Sequence, residues 1–210
     1  MNVYFFNSRD DVAGFMYVPE DFGRYDAAKN GTGHPWPDLA TWVPLRGIEY
    51  CGEGEDGKPL RPSAPLADVT GIGGWLAVSQ QFVNVLGDVL GRYGTLYPVD
   101  LDHRGHVYRY YCYACTNIVD CLDSVNSKGM RYREHPDRFR VLDHPIFLDE
   151  KIGDNEIFVL PCMEKGAVYV TERFKERIAS AKLTGVQLYM ERFNRSKDTR
   201  WQSSRPREAK

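Results

Sequence analysis

Apolar residues at Phe82, Leu86, Val89 and Tyr93 recur at spacings of four, three and four, and Val83 and Leu90 widen the same stripe. That periodicity predicts an amphipathic helix. Ser79 stands where a side chain can cap the first free N–H groups, and Gly94 stands where a helix can stop. Gly87 and Gly91 weaken the helix by roughly 1 kcal/mol each relative to alanine, and would permit close packing. The period then shortens to two. Leu96–Leu101 and Val107–Cys112 are rich in β-formers, and Asp102-His103-Arg104-Gly105-His106 separates them, which predicts a hairpin with glycine at its turn. Beyond it, Thr116 or Asn117 is placed to cap a short helix with Ile118, Val119, Leu122 and Val125 as its apolar face. Further strands are expected at Arg131–Arg133 and Arg138–Leu142, around Glu134-His135-Pro136-Asp137.

The last third carries strand-like runs at Ile157–Leu160 and Val168–Val170. Thr171 then caps a helix bearing Phe174, Ile178 and Ala181, closed by Gly185, and Val186–Met190 alternates as a strand. Near the N-terminus, Val3–Phe6 reads as a strand. Pro19–Pro65 is rich in Gly and Pro with no sustained period, and reads as irregular apart from one short strand near Gly47–Cys51. A loop region of that length is unusual in a compact protein and is often functional. Strands and helices mix without steady βαβ alternation, so the expected class is α+β. The expected architecture is a mixed, largely antiparallel sheet with two or three packed helices and a loop-rich N-terminal part. Residues 1–70 form that N-terminal region, packed on a main α+β domain at 71–192. Residues 193–210 form a basic tail, with six Lys/Arg against two acidic residues from Arg195 to Lys210, expected to be disordered.

Composition narrows this picture only modestly. The 210 residues carry a net charge of −2, which argues neither for nucleic-acid binding nor for an acidic mimic of it. No apolar run is long enough to cross a bilayer. The start, Met1-Asn2-Val3-Tyr4-Phe5-Phe6, lacks the basic flank and length of a signal peptide, so a cytoplasmic location is expected. The five cysteines are then expected to be reduced.

Candidate chemistry is sparse. Cys112-x-x-Cys115, with Cys121 nearby, has zinc-ligand spacing, but Cys162 or His106 would have to complete the set from a distance. The pair also runs out of a predicted strand rather than sitting at a helix N-terminus, where a redox thiol is activated. Buried core cysteines are the reading favoured. His103 and His106, with Asp100 and Asp102, flank the hairpin turn and have a spacing that can hold an ion, although such a pattern is more often an exposed polar turn. Asp143-His144 could orient an imidazole, but no nucleophile is assigned to it. Gly71-Ile72-Gly73-Gly74 precedes the first strong helix, yet lacks the spacing of a phosphate loop. Trp36 and Trp42 in the loop region could anchor a protein interface or seal the loop onto the core. Glu53, Glu55 and Asp56 form one acidic stretch, and Asp149, Glu150, Asp154 and Glu156 another. Either could steer a basic partner, and either could be a solvated face.

Three blocks resemble a known family. The first is Trp75-Leu76-Ala77-Val78-Ser79 with its helix, running into Gly94-Thr95-Leu96-Tyr97-Pro98-Val99. The second is Tyr108 to Tyr111, leading through Thr116-Asn117-Ile118-Val119-Asp120-Cys121-Leu122-Asp123. The third is Ile157-Phe158-Val159-Leu160-Pro161, then Val168-Tyr169-Val170-Thr171-Glu172-Arg173-Phe174-Lys175, ending at Leu183-Thr184-Gly185-Val186. Gly57-Lys58-Pro59-Leu60 adds a weaker match. Together they resemble immunity-protein family eleven of bacterial polymorphic-toxin systems over about Lys58 to Arg192. The resemblance implies a cytoplasmic protein, encoded beside a secreted toxin, that neutralises the toxin by direct binding. Such toxins are diverse and often nucleases, and type VI secretion is one implied delivery route. No catalytic set, metal or cofactor carries over. Two other classes stay open on the residues: a small enzyme or metal-binding protein using Cys112 and Cys115 with a histidine, and a scaffold or regulator without a toxin.

Overall fold

The computed structural model describes residues 1–29, 35–50, 64–136, 139–161 and 166–190. In chain order, these form strands β1 (Val3–Ser8) and β2 (Gly14–Tyr17), helix α1 (Pro19–Lys29), a short 3-10 turn (Leu39–Thr41) and strands β3 (Leu45–Glu49), β4 (Val69–Ile72) and β5 (Trp75–Ser79). Helix α2 (Gln80–Tyr93) leads into the long strands β6 (Gly94–His103) and β7 (His106–Cys115), and then β8 (Lys128–Arg131) and β9 (Phe139–His144). The short helix α3 (Asp149–Ile152), strands β10 (Ile157–Phe158) and β11 (Val168–Thr171), helix α4 (Glu172–Ala181) and strand β12 (Val186–Tyr189) complete the fold. The class is α+β, with mostly antiparallel pairing, as expected.

Three β units result. A closed barrel runs in the order β2-β3-β6-β7-β5-β4, a four-stranded sheet runs β10-β11-β1-β12, and β8-β9 stand as a separate pair. The barrel closes through two parallel pairings, β2 with β4 and β3 with β6, while its remaining pairings are antiparallel. Its longest ladder is the predicted hairpin, in register from Gly94↔Cys115 to His103↔His106. Arg104 and Gly105 both have positive φ, at 54° and 78°, the two-residue turn whose twist suits a hairpin. The Asp102 carboxylate accepts from the Gly105 N–H at 3.0 Å. On β3, a Cβ at Gly47 would come within 2.6 Å of Ile72 and 2.9 Å of Leu101, so the barrel wall closes there only around a glycine.

Three cores hold these units. The barrel interior is filled by Phe15, Leu45, Ile72, Trp75, Tyr97, Val99, Leu101 and Cys112, among others. A second core lies between barrel and sheet. There α2 lays Phe82, Leu86, Val89 and Leu90 against Phe6, Val78, Val170 and Phe174. A third covers the opposite face of the sheet, with Val119, Cys121, Phe139, Leu142, Ile152, Phe158 and Tyr169. Strands β1, β10 and β11 of the sheet thus alternate between two cores, which is why β11 is buried throughout and reads as a continuous apolar run.

The Ser79 cap forms as expected, its Oγ accepting from the Phe82 N–H at 3.1 Å and donating to Asp68 at 2.8 Å. Asp68 also accepts from the Thr184 N–H and hydroxyl, each at 2.8 Å. One carboxylate therefore ties β4, the start of α2 and the Leu183-Thr184-Gly185 exit of α4 together. Partial burial by itself would raise this carboxyl, but the Thr184 and Ser79 hydrogen bonds outweigh it and hold the group below the ordinary carboxylate range.

Several expectations are corrected. Residues 116–125 form no helix. Val119 N–H donates to Val159 O at 3.0 Å and Leu148 N–H to Cys121 O at 2.8 Å, and isolated bridges join Ile118 to Val159 and Leu122 to Phe147. Val119 and Cys121 point into the third core while Ile118 is exposed, so the operative period there is two. Pro19–Lys29, read as irregular, is helix α1. Proline at its first position and Glu20 and Asp21 in its first turn suit a helix start. Its buried apolar residues reduce to Tyr25 and Ala28, too weak a stripe to announce it. Strand β2 was also unexpected. Thr171 occupies the cap position of α4, but its side chain makes no cap hydrogen bond, and the helix ends at Lys182 in left-handed conformation rather than at Gly185.

Candidate functional site

The cysteines are the first residues to place. Positions 112 and 115 differ by an odd number along β7, so their side chains leave opposite faces of the strand. Cys112 enters the barrel interior, Cys115 the core between barrel and sheet, and Cys121 the third core. Three thiols in three cores cannot ligate one ion. Burial pushes the Cys115 thiol up to about 11 and the Cys121 thiol up to about 12, so both are protonated and poor nucleophiles at neutral pH. Cys51 and Cys162 lie outside the described residues. The zinc and redox readings of Cys112 and Cys115 are thereby overturned by strand geometry.

The histidines separate in the same way. His103 is buried in the barrel, with Nδ1 3.0 Å from a Glu49 carboxylate oxygen and its ring edge-on to Phe15, whereas His106 is exposed beyond the turn. His144 is exposed at the base of the β8–β9 pair, next to half-buried Asp143. Among the described residues no group of three or more His, Cys, Asp or Glu side chains could hold a metal. The glycine run 71–74 does not precede a helix. It ends β4 and turns into β5, with Gly73 and Gly74 both at positive φ, so no helix N-terminus faces it and the phosphate reading falls.

Trp36 and Trp42 form a lid on one mouth of the barrel. Trp36 stacks on Trp75 at 5.4 Å between centroids, and Trp42 meets Tyr97 edge-on at 4.9 Å. Trp42 Nε1 donates to Pro98 O at 2.9 Å, and Tyr97 OH donates to Pro37 O at 2.6 Å. Both tryptophans remain half-buried. Their packing is that of a loop sealed onto the core, and Arg24 also lies 5.6 Å over the Trp42 ring.

The acidic residues divide. Glu53, Glu55 and Asp56 lie outside the described residues. Asp149 and Glu150 are exposed on α3, where Asp149 meets the Met1 amine, and Asp154 is 93% exposed beside Arg173. Glu156 instead turns inward. Its side chain is almost wholly buried, and Arg177 Nε approaches its carboxylate at 3.0 Å. Asp149, Glu150 and Asp154 thus share an exposed stretch from which Glu156 is withdrawn. The tryptophans belong to the barrel core and α3 to the third core, so the two groups do not build one site.

A cleft of about 230 Å³ lies where β1 and β11 meet β4, β5 and β7, with Asn7, Ser8 and Asp10 as its polar lining and Trp36, Trp75 and Cys115 among its apolar walls. Among the described residues no histidine, lysine or arginine lines it, and burial keeps its Cys115 thiol protonated. Sequence reasoning missed a different surface. The β8–β9 pair exposes Met130 and Tyr132 together with Lys128, Arg133 and Arg140. The signal for it was present as a Lys/Arg-rich run interleaved with apolar residues.

No helix among the described residues is long and apolar enough to cross a membrane. A family model described as an immunity protein family (Imm11) matches residues 57–190, more than half of the chain. No curated protein matches the chain.

Proposed function

The chain belongs to the Imm11 immunity protein family, and from that membership we propose that it neutralises a cognate bacterial toxin by binding it directly. The toxin is encoded by the adjacent gene and reaches its targets through a secretion system, of which type VI is one candidate. Binding takes place in the cytoplasm of the producing cell. The chain itself performs no catalysis. The observation that carries this reading is the family match over residues 57–190, which spans β4 to β12, and thus the third core apart from its β1 residues and most of the barrel. The dispersal of Cys112, Cys115 and Cys121 into three separate cores, with His103 buried apart from them and His106 exposed, supports it.

A neutralising complex of this kind needs roughly 1,200–2,000 Å² of total buried surface, with a few aromatic or arginine anchors near its centre. The exposed acidic stretch Asp149, Glu150 and Asp154 and the half-buried Trp36 and Trp42 are candidate contributors. The test is co-expression and co-purification with the product of the adjacent gene, followed by calorimetry of the separated pair and a growth assay. Nanomolar one-to-one binding that abolishes growth arrest is expected. A neighbour that arrests growth equally with or without this chain overturns the pairing.

A further inference from the structure

We propose that the β8–β9 hairpin is the toxin-contacting element and that its occupant is an acidic, partly apolar surface of the toxin. This rests on the toxin-binding reading above and deepens it.

The clustering of cations without ion pairs carries the inference. Elsewhere Arg9, Arg24, Arg46, Arg109, Arg173 and Arg177 each sit within 4 Å of a carboxylate, and the exposed cations without one among the described residues, such as Arg92, Lys151 and Lys182, stand singly on separate elements. On the hairpin Lys128, Arg133 and Arg140 are exposed and pair with no carboxylate among the described residues, although Glu134 and Asp143 share the element. Arg131 is fixed without one. Its guanidinium lies 3.9 Å over the Phe139 ring and donates to Pro136 O at 3.0 Å and to Ser124 O at 2.5 Å. The chain as a whole carries −2, so this is a local positive field set in a slightly negative molecule. A cation already held in place, as Arg131 is, has less entropy to lose on binding, which favours a charge-assisted contact.

The same surface is apolar. Met130 is 56% and Tyr132 48% exposed, and Val125 and Ile146, at the hairpin base, are exposed as well. Asp123 accepts from the Val125 and Asn126 N–H groups, and Ser127 bonds Ile146, so this base is ordered rather than loose. Arg, Tyr and Met are the residue types enriched at interface centres. A phosphate backbone would satisfy the cations but leave the apolar residues wet, whereas a protein surface with carboxylates around an apolar patch covers both. That favours an acidic protein over a nucleic acid. The pair also stands outside both larger sheets, and its inward residues Phe139 and Leu142 anchor it in the third core. The outward face is therefore free to serve an interface without contributing to the fold.

The test uses the full chain and the purified toxin domain from the adjacent gene. The charge-reversed triple variant K128E/R133E/R140E and the single variant Tyr132→Ala are compared with wild type and with Arg92→Glu on α2 as control. Thermal melting first verifies that each variant is folded. Biolayer interferometry across a salt series is then expected to show association by the triple variant slowed about tenfold or more, with the salt dependence of the wild type lost. Tyr132→Ala is expected to accelerate dissociation, and Arg92→Glu to behave as wild type. Unchanged kinetics in the triple variant overturn the hairpin assignment while leaving the immunity reading intact. Failure of the wild-type chain to bind the toxin sinks the immunity pairing itself. Wild-type binding to plain DNA or RNA duplexes through these same cations, with no effect of the triple variant on toxin binding, assigns the hairpin to nucleic acid and overturns the proposal.

Discussion

Two hairpins lie inside the segment that matches the family, and they are built to different ends. In β6–β7 the strands run ten residues each, pair without interruption and turn through two residues of positive φ. Leu101, Val99 and Tyr97 face the barrel interior from one strand and Tyr110, Cys112 and Ala114 from the other. Most of its charged residues have partners, as with Arg109 on Asp100 at 2.6 Å. In β8–β9 the strands are short, the register shifts twice, and only Phe139 and Leu142 are buried. Among the described residues its cations Lys128, Arg133 and Arg140 make no ion pair, and its Met130 and Tyr132 are exposed. A hairpin most of whose side chains are used internally is scaffold, even though β6–β7 leaves Val107 and Tyr108 exposed beside its turn. One that leaves both charge and apolar area unused has spare recognition capacity, and the comparison can be broken or sharpened by perturbing each region in turn.

The largest effect is expected at the barrel. Trp75 on β5 is fully buried, stacks on Trp36, meets Trp42 edge-on and Tyr97 at a tilt, and donates Nε1 to Tyr113 O at 2.8 Å on β7. Trp75→Ala removes the ring that joins lid to barrel and leaves a cavity, so a loss of about 3–5 kcal/mol is expected in urea unfolding. A loss below 1 kcal/mol would mean that the barrel interior is not the rigid half of the molecule.

A smaller effect is expected where the sheet meets α4. Arg177→Ala leaves the Glu156 carboxylate buried without its cation, which costs about 1–3 kcal/mol. Arg177→Lys restores charge but not the geometry of the fork, and should recover only part of that loss. This pair also shows why the acidic stretch was only partly legible. Asp149, Glu150, Asp154 and Glu156 look alike in sequence, and only the strand following at Ile157 turns the last of them inward. Elements with strong periods, such as α2 and the β6–β7 ladder, were readable because local pattern and burial agree there. Barrel closure was not readable, because β2–β4 and β3–β6 are parallel pairings between distant segments that leave no local mark. The helix expected over residues 116–125 failed because Ile118, Val119, Leu122 and Val125 satisfy a helical spacing, while the backbone at 119, 121 and 123 is claimed by partners at 146, 148 and 159. The hairpin cations were missed as a site because composition records charge but not whether it is paired.

Acid should act on the barrel–sheet junction. Asp68 is held below the ordinary carboxylate range by Thr184 and Ser79. Glu172 is brought down to about 2, first by the Lys175 ammonium at 2.8 Å and then by Tyr4. A carboxyl whose folded pKa is depressed adds stability that is complete above its unfolded value, near 4, and is lost as pH falls through the folded value. The melting temperature is therefore expected to stay level from pH 7 to pH 5 and to decline below about pH 4. Asp68→Asn should lower the plateau and flatten the decline. A plateau unchanged by Asp68→Asn would break the claim that this carboxylate couples the two units.

The smallest stability effect belongs to β8–β9, and it is the most telling. Lys128, Arg133 and Arg140 are exposed and make no ion pair among the described residues, so reversing them removes no internal contact. Substitutions of that kind normally stay within about 0.5 kcal/mol per site. If the hairpin is a recognition element, the triple reversal changes binding while the denaturation midpoint scarcely moves. A large destabilisation would mean that these cations serve the fold after all, through contacts that the ion-pair geometry does not capture, and the two hairpins would then differ in degree rather than in kind. The stability measurement must therefore come before the binding measurement. A lost interaction in a variant that still melts with the wild type can be assigned to the surface alone, because the buried anchors Phe139 and Leu142 and the fixed Arg131 are untouched.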